Sequence, residues 1–444
     1  MNTKWIFFIT IGIILRLVFA YCMTYSSDFI ILTLHIKSVA LTGNLFDSMH
    51  AMLKVEENPQ LYGKIWYQMW GVWIQLLARF HFISMDSINL SKHIVPYQQF
   101  LIKLFQMVFD ALILFFTYKI AIKLAVKRLH FIILFWAFNP LWIYITYSML
   151  QSDIAMLTCL LASIYITIKY KKFNYAAIIL LSLAFVIKMM PILLLPIFIL
   201  YTHKSNKLTL FSFVEFALIT IIIMQPWSND FLLMRQFGLS SREALGIFHE
   251  TWNGASVFIL MYTSFIFFLW HKRKLLQSSG TLFIVALTAT ILIVYLGETH
   301  VLLFPQFMTW IMPFAAILVA QEISLFPVLI APFTNFIFAA VINNAFLSGA
   351  LADLTGIKTK TSILAMFSQM FHEKFLTTGL RTLFVGLCVF FLYYCILQLN
   401  RHKFLFDRAY RAFSEKWGIL SIIMFYQLYY VFFFLDFFIQ KTYK

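Results

Sequence analysis

The run Phe100-Leu101-Ile102-Lys103-Leu104-Phe105-Gln106-Met107-Val108-Phe109-Asp110-Ala111-Leu112-Ile113-Leu114-Phe115-Phe116 carries two charges in an otherwise almost wholly apolar stretch. Its wider frame, 98–120, is long enough to cross the roughly 30 Å hydrocarbon core of a bilayer as a helix. Lys103 and Asp110 stand seven residues apart, two helical turns, and so share a face. Ionisable residues at membrane depth are costly and by default mark a functional site.

Runs of the same kind recur from end to end. The sequence predicts spans at 5–23, 98–120, 130–148, 154–169, 174–187, 190–202, 208–225, 254–270, 280–297, 305–320, 323–345, 377–397 and 416–437, about thirteen in all. The pair within 174–202 reads as a hairpin broken around Met190-Pro191. The composition agrees: 62% of residues are hydrophobic, 12% are charged and 52 are Phe, values outside those of soluble domains. The expected class is an all-α polytopic membrane protein forming a single membrane domain. The first run shows no small-residue cleavage pattern and reads as a retained span. Cys22, Cys159, Cys388 and Cys395 have neither metal spacing nor a paired framework.

The net charge of +16 is gathered in short clusters between spans, which the positive-inside rule explains without nucleic acid. The clusters Lys123–Arg128, Lys169–Lys172, Lys204–Lys207, His271–Lys274 and Arg401–Arg411 all fall inside if the N-terminus is cytoplasmic and 24–97 is one outer loop. Residues 65–83 then cannot span. Their Trp and Tyr, with Gln68, Gln75, Arg79 and His81, predict a helix lying in the outer interface.

This topology collects on the outer face the carboxylates Asp28, Asp47, Glu56, Glu57, Asp153, Asp230 and Glu298. It also collects the cations Lys54, Lys64, Lys103, Lys188, Arg235 and Arg242, with His249 and His300. Outer cations run against the positive-inside bias, and a lipid phosphate would be a partner for them. Sugar transfer from a lipid phosphate needs both kinds of group. A carboxylate takes the acceptor's hydroxyl proton, and cations stabilise the departing phosphate. Asp28 is the candidate base, because it emerges from the first span into the loop; the competing reading is a helix cap or a solvated loop acid. Lys103, Lys188, Arg235, Arg242 and His300 are candidates for donor phosphate, with snorkelling to head groups as the other reading for the lysines. Arg16, inside the first span, is expected to pair with an acid such as Asp110. Trp66, Trp70 and Trp252 are the tryptophans that could serve a sugar.

The order of these motifs resembles the GT-C superfamily of polyprenyl-phosphate-sugar-dependent glycosyltransferases, in the branch similar to GPI-type mannosyltransferases and their bacterial relatives. Arg16…Asp28 looks like that family's first span and outer-loop acid. Thr42-Gly43-Asn44-Leu45-Phe46 and Asn58-Pro59-Gln60-Leu61-Tyr62 match its Gly and Tyr-Pro-Pro-like segments loosely. Lys103…Asp110 resembles its Lys-plus-Asp helix. Asn139-Pro140 and Leu150-Gln151-Ser152-Asp153 resemble an Asn-Pro helix and its Gly-Gln-x-Asp turn. Lys188-Met189-Met190-Pro191 and Pro305-Gln306-Phe307-Met308-Thr309-Trp310 with Pro313 complete the series. Leu150 stands where the family has Gly, Gln60 where it has the second Pro, and Phe307 where it has Tyr.

The resemblance covers roughly residues 10–313, with 314–444 adding C-terminal transmembrane helices. It implies an inverting hexosyltransferase, mannose being the expected sugar, with Asp28 as general base. A polyprenyl-phosphate sugar would be co-substrate, and no cofactor or metal is expected. Asp47, Asp110, Gln151, Asp153, Gln306 and Trp310 are expected to bind substrate or support the site. The acceptor would be an extracytoplasmic glycan, lipid or protein, and a bacterial plasma membrane is the expected location. Two other readings compete: a flippase for lipid-linked oligosaccharide or a polysaccharide transporter, and an inactive GT-C-like scaffold.

Overall fold

The computed structural model describes residues 3–22, 33, 36–37, 40–41, 64–85, 96–148, 150–203, 206–224, 251–252, 255–298, 309–321 and 373–399. In chain order these form α1 (Thr3–Cys22), α2 (Lys64–Arg79), α3 (Pro96–Lys123), α4 (Leu129–Phe138), α5 (Pro140–Ser148), α6 (Asp153–Tyr170) and α7 (Tyr175–Ile187). A short 3-10 helix, Met190–Leu194, leads into α8 (Leu195–Thr202) and α9 (Asn206–Met224). The two-residue strands β1 (Thr251–Trp252) and β2 (Ala255–Ser256) pair antiparallel. Then come α10 (Val257–His271), α11 (Arg273–Ser278), α12 (Gly280–Glu298), α13 (Met312–Ala320) and α14 (Glu373–Leu399). The protein is all-α.

Among the described residues, Tyr97–Lys123 and Asp153–Tyr170 are long and apolar enough to cross a membrane, and eight further apolar stretches are shorter. The expected run 130–148 is two helices, because Asn139-Pro140 interrupts it. The run 174–202 is broken just before Met190-Pro191, at the extended Lys188, and Pro191 sits in the first turn of the 3-10 helix that follows. The expected spans 323–345 and 416–437 lie outside the described residues.

The chain divides into two compact units. One comprises Met1–Phe29, Ala125–Leu150 and Leu303–Lys444; the other comprises Ile30–Leu124 and Gln151–Leu302. In the first, α1 packs on α4 and α5, and α4 also packs on α13. The α1–α4 contact is close because residue 12 is glycine. A Cβ there would lie 2.9 Å from Ala137 Cα and Cβ, an approach that small residues permit between apolar helices. Arg16, one turn further on, is buried. It donates to Gly12 O at 3.0 Å, Trp136 O at 2.7 Å and Ala137 O at 3.5 Å. Its guanidinium carbon lies 3.5 Å from the centre of the Trp136 ring.

In the second unit, α6 lies between α3 and α7. Hydroxyls tie these helices together: Thr158 Oγ1 donates to Phe109 O at 3.2 Å, and Ser163 Oγ to Ala177 O at 2.7 Å. Such bonds satisfy polar groups that an apolar setting would otherwise strand. Asn174 caps α7 by accepting from Ala177 N at 3.1 Å. Around α8 and α12, the Tyr201 and Phe283 rings stack with centroids 4.3 Å apart. Of the stretch 65–83, the part up to Arg79 is helical. One face of α2 buries Trp66, Tyr67, Trp70 and Ile74, with Trp70 edge-on to Phe105 of α3 at 5.1 Å. The chain end beyond that helix exposes Phe80 and Phe82. It stops in a closed turn, Phe82 N donating to Leu77 O at 2.9 Å and His81 N to Ala78 O at 3.0 Å, with His81 at φ 58° in the position that glycine usually takes.

Candidate functional site

Three polar residues of α3 share one face within the second unit. Lys103, Gln106 and Asp110 recur at helical spacing and are all fully buried. Gln106 Nε2 donates to Gln151 O at 3.0 Å. A carbonyl can only accept, so this bond fixes the amide with Oε1 as a buried acceptor. Among the described residues, neither that Oε1 nor the buried Ser152 Oγ has a hydrogen-bond partner. Each such group costs about 1–3 kcal/mol relative to one that is satisfied.

The segment that meets α3 here follows a bend. Leu150 sits at φ 51°, in the left-handed region where only glycine is at ease. Its side chain is fully buried, and that burial, worth about 1.5–3 kcal/mol for a leucine, offsets the backbone cost. Gln151, Ser152 and Asp153 follow, none of them exposed, and Met156 N donates to Ser152 O at 3.1 Å as α6 begins.

Asp153 Oδ1 accepts from Lys188 Nζ at 2.9 Å, with the carboxylate fully buried and the lysine side chain 10% exposed. Lys188 caps the C-terminus of α7, its own N–H donating to Ala184 O at 3.0 Å. The carboxylate therefore stands at the N-terminus of α6 and the ammonium at the C-terminus of α7. Both helix dipoles favour the charge they meet, and the hydrogen bond is of the charge-assisted kind.

Of the residues singled out in sequence, the structure thus joins Asp153 to Lys188, and brings Gln151 against the α3 face that carries Lys103 and Asp110. Trp310 lies in the first unit, 1% exposed, in the turn before α13. Asp28, Asp47, Arg235, Arg242, His300 and Gln306 lie outside the described residues. Gln106 and Ser152 were missed as site residues. Gln106 was open to detection, since it lies three residues after Lys103 and four before Asp110 on the same face; Ser152 had no signal of its own. Among the described residues no group of three or more His, Cys, Asp or Glu could hold a metal ion. Comparisons with protein families, curated proteins and solved structures give no match to this chain.

Proposed function

We propose that this protein is a multi-span membrane glycosyltransferase of GT-C type, moving a hexose, with mannose foremost, from a polyprenyl-phosphate donor to an extracytoplasmic acceptor. About thirteen helices would span the bilayer, with the N-terminus cytoplasmic. One observation carries the reading. Three polar segments far apart in sequence, Lys103–Asp110, Gln151–Asp153 and Lys188, meet within one unit through the Gln106–Gln151 and Asp153–Lys188 bonds. Buried charge in apolar helices is kept for a function more often than for stability.

In this reaction the acceptor oxygen attacks the anomeric carbon as Asp28 takes its proton, and the bond from that carbon to the donor phosphate breaks with inversion. The phosphate leaves with the bond's electron pair, and Lys103, Lys188, Arg235, Arg242 and His300 are the candidates to stabilise it. A phosphate reaching Lys188 would share the ammonium that Asp153 now holds. The two-sided character of α2, with one buried face and exposed Val72, Leu76, Phe80 and Phe82 beside Arg79 and His81, supports placing it in the outer interface.

The test is transfer of radiolabelled sugar from polyprenyl-phosphate mannose and glucose in membranes holding wild type or Asp28→Asn. Label incorporated by the wild type and lost in the variant is expected. Full-rate transfer by the variant removes Asp28 from the mechanism. No transfer by the wild type with any donor and acceptor membrane favours the flippase or scaffold.

A further inference from the structure

The place of Arg16 in an apolar helix has a cause 120 residues away. Helices α4 and α5 would be one helix but for Pro140. Proline has no N–H, so Trp136 O, four residues earlier, loses its helical donor. Asn139 takes the extended conformation usual before a proline, with φ −70° and ψ 106°. The amides that follow turn to a new cap: Trp142 N donates to Asn139 Oδ1 and Ile143 N to Asn139 O, both at 3.1 Å. In the last turn of α4, Phe135 O is still met by Asn139 N at 3.1 Å. The next two carbonyls, Trp136 O and Ala137 O, are the two that Arg16 meets, at 2.7 Å and 3.5 Å.

We propose that Arg16 stands in for the amide hydrogens that the Pro140 break removes, so that arginine and proline form one device holding α4 and α5 at a fixed bend. The fork of a guanidinium suits this task, because one group reaches two adjacent carbonyls while its plane lies on the Trp136 ring. Gly12 brings the two backbones close enough for it. The device predicts dependence in one direction. Without the proline, the helix can supply its own donors and the arginine is no longer needed there.

The experiment measures the thermal midpoint and the yield of monodisperse protein for the full chain in detergent, for wild type, Arg16→Leu, Pro140→Ala and the double variant. Arg16→Leu is expected to lose midpoint and yield, and Pro140→Ala to restore most of the loss. Arg16→Lys, which has charge but no fork, should fall between wild type and Arg16→Leu. Leu161→Ala, in the other unit, is the control that Pro140→Ala should not rescue. Additive losses in the double variant, a wild-type midpoint for Arg16→Lys, or equal rescue of Leu161→Ala would each overturn the proposal. If Arg16→Leu gives no monodisperse protein at all, its recovery or continued absence in the Pro140→Ala background decides.

Discussion

Two cations, one in each unit, show different kinds of partner. Among the described residues, Arg16 donates to the carbonyls of Gly12, Trp136 and Ala137 and lies over the face of an indole. Lys188 lies against a full negative charge on Asp153. Carbonyls belong to the backbone and cannot leave, so the first arrangement fixes the chain. A side-chain carboxylate can rotate away, so the second can be broken without moving the backbone. The difference is between partners fixed in the main chain and a partner on a side chain.

The largest expected effect lies on the Lys188 side. Lys188→Met leaves the Asp153 carboxylate buried without this ammonium and should cost about 3–5 kcal/mol. Combined with Asp153→Leu, it should cost much less than the sum of the two single changes, as unfolding in a denaturant series would read. A simple sum would mean that the pair is not coupled, and would erase the contrast with Arg16.

Glycine substitutions probe the other side. Gly12→Ala drives a methyl group into Ala137 backbone, which cannot yield, and should cost about 1–3 kcal/mol while drawing the guanidinium off its carbonyls. Gly280→Ala meets Leu124 Cδ2 at 2.6 Å, the far end of a flexible side chain, and should cost under about 1 kcal/mol. Equal losses in thermal midpoint would show that close backbone approach is not what sets Arg16 in place.

The smallest effect is expected at a third cation, one that caps a helix end nearer the surface. Arg273 and Gln277 donate to His203 O at the end of α8, with Arg273 Nε at 2.7 Å and Gln277 Nε2 at 2.6 Å. Burial, and then the charge of Arg273, hold the His203 imidazole below its usual pKa. The unfolded chain therefore binds the proton more readily. The stability is complete above about pH 6.5 and declines as pH falls from there through the lowered folded value. The wild-type midpoint should drop between pH 7.5 and 5.5 by more than that of His203→Gln; matching slopes would remove His203 from the pH response.

Among the described residues, helices are legible where apolar runs are long, because burying an apolar stripe needs little beyond hydrophobicity at helical spacing. A break around Met190-Pro191 is legible from the proline, and the chain leaves α7 two residues earlier, at Lys188. The proline at 140 was read as part of a motif within one span, although its backbone consequence was available from the same rule. Partners were harder. For Arg16, sequence shows which side chains carry charge but not which carbonyls a proline has freed. Asp153 and Lys188 were both singled out, yet their pairing depends on how α6 and α7 pack, which no spacing encodes. Leu150 was seen to replace a glycine; that its residue sits at φ 51° could be known only from the backbone.

The separation of Arg16 from its acceptors also sets an order of events during synthesis. The guanidinium leaves the ribosome 120 residues ahead of Trp136, which at about 5–20 residues per second is an interval of roughly 6–24 s. During it the guanidinium lacks these acceptors, so the packing of α1 on α4 completes only after residue 137 has been made. A chain truncated before residue 136 should therefore hold α1 less firmly than the full chain, read as faster proteolysis within Thr3–Cys22.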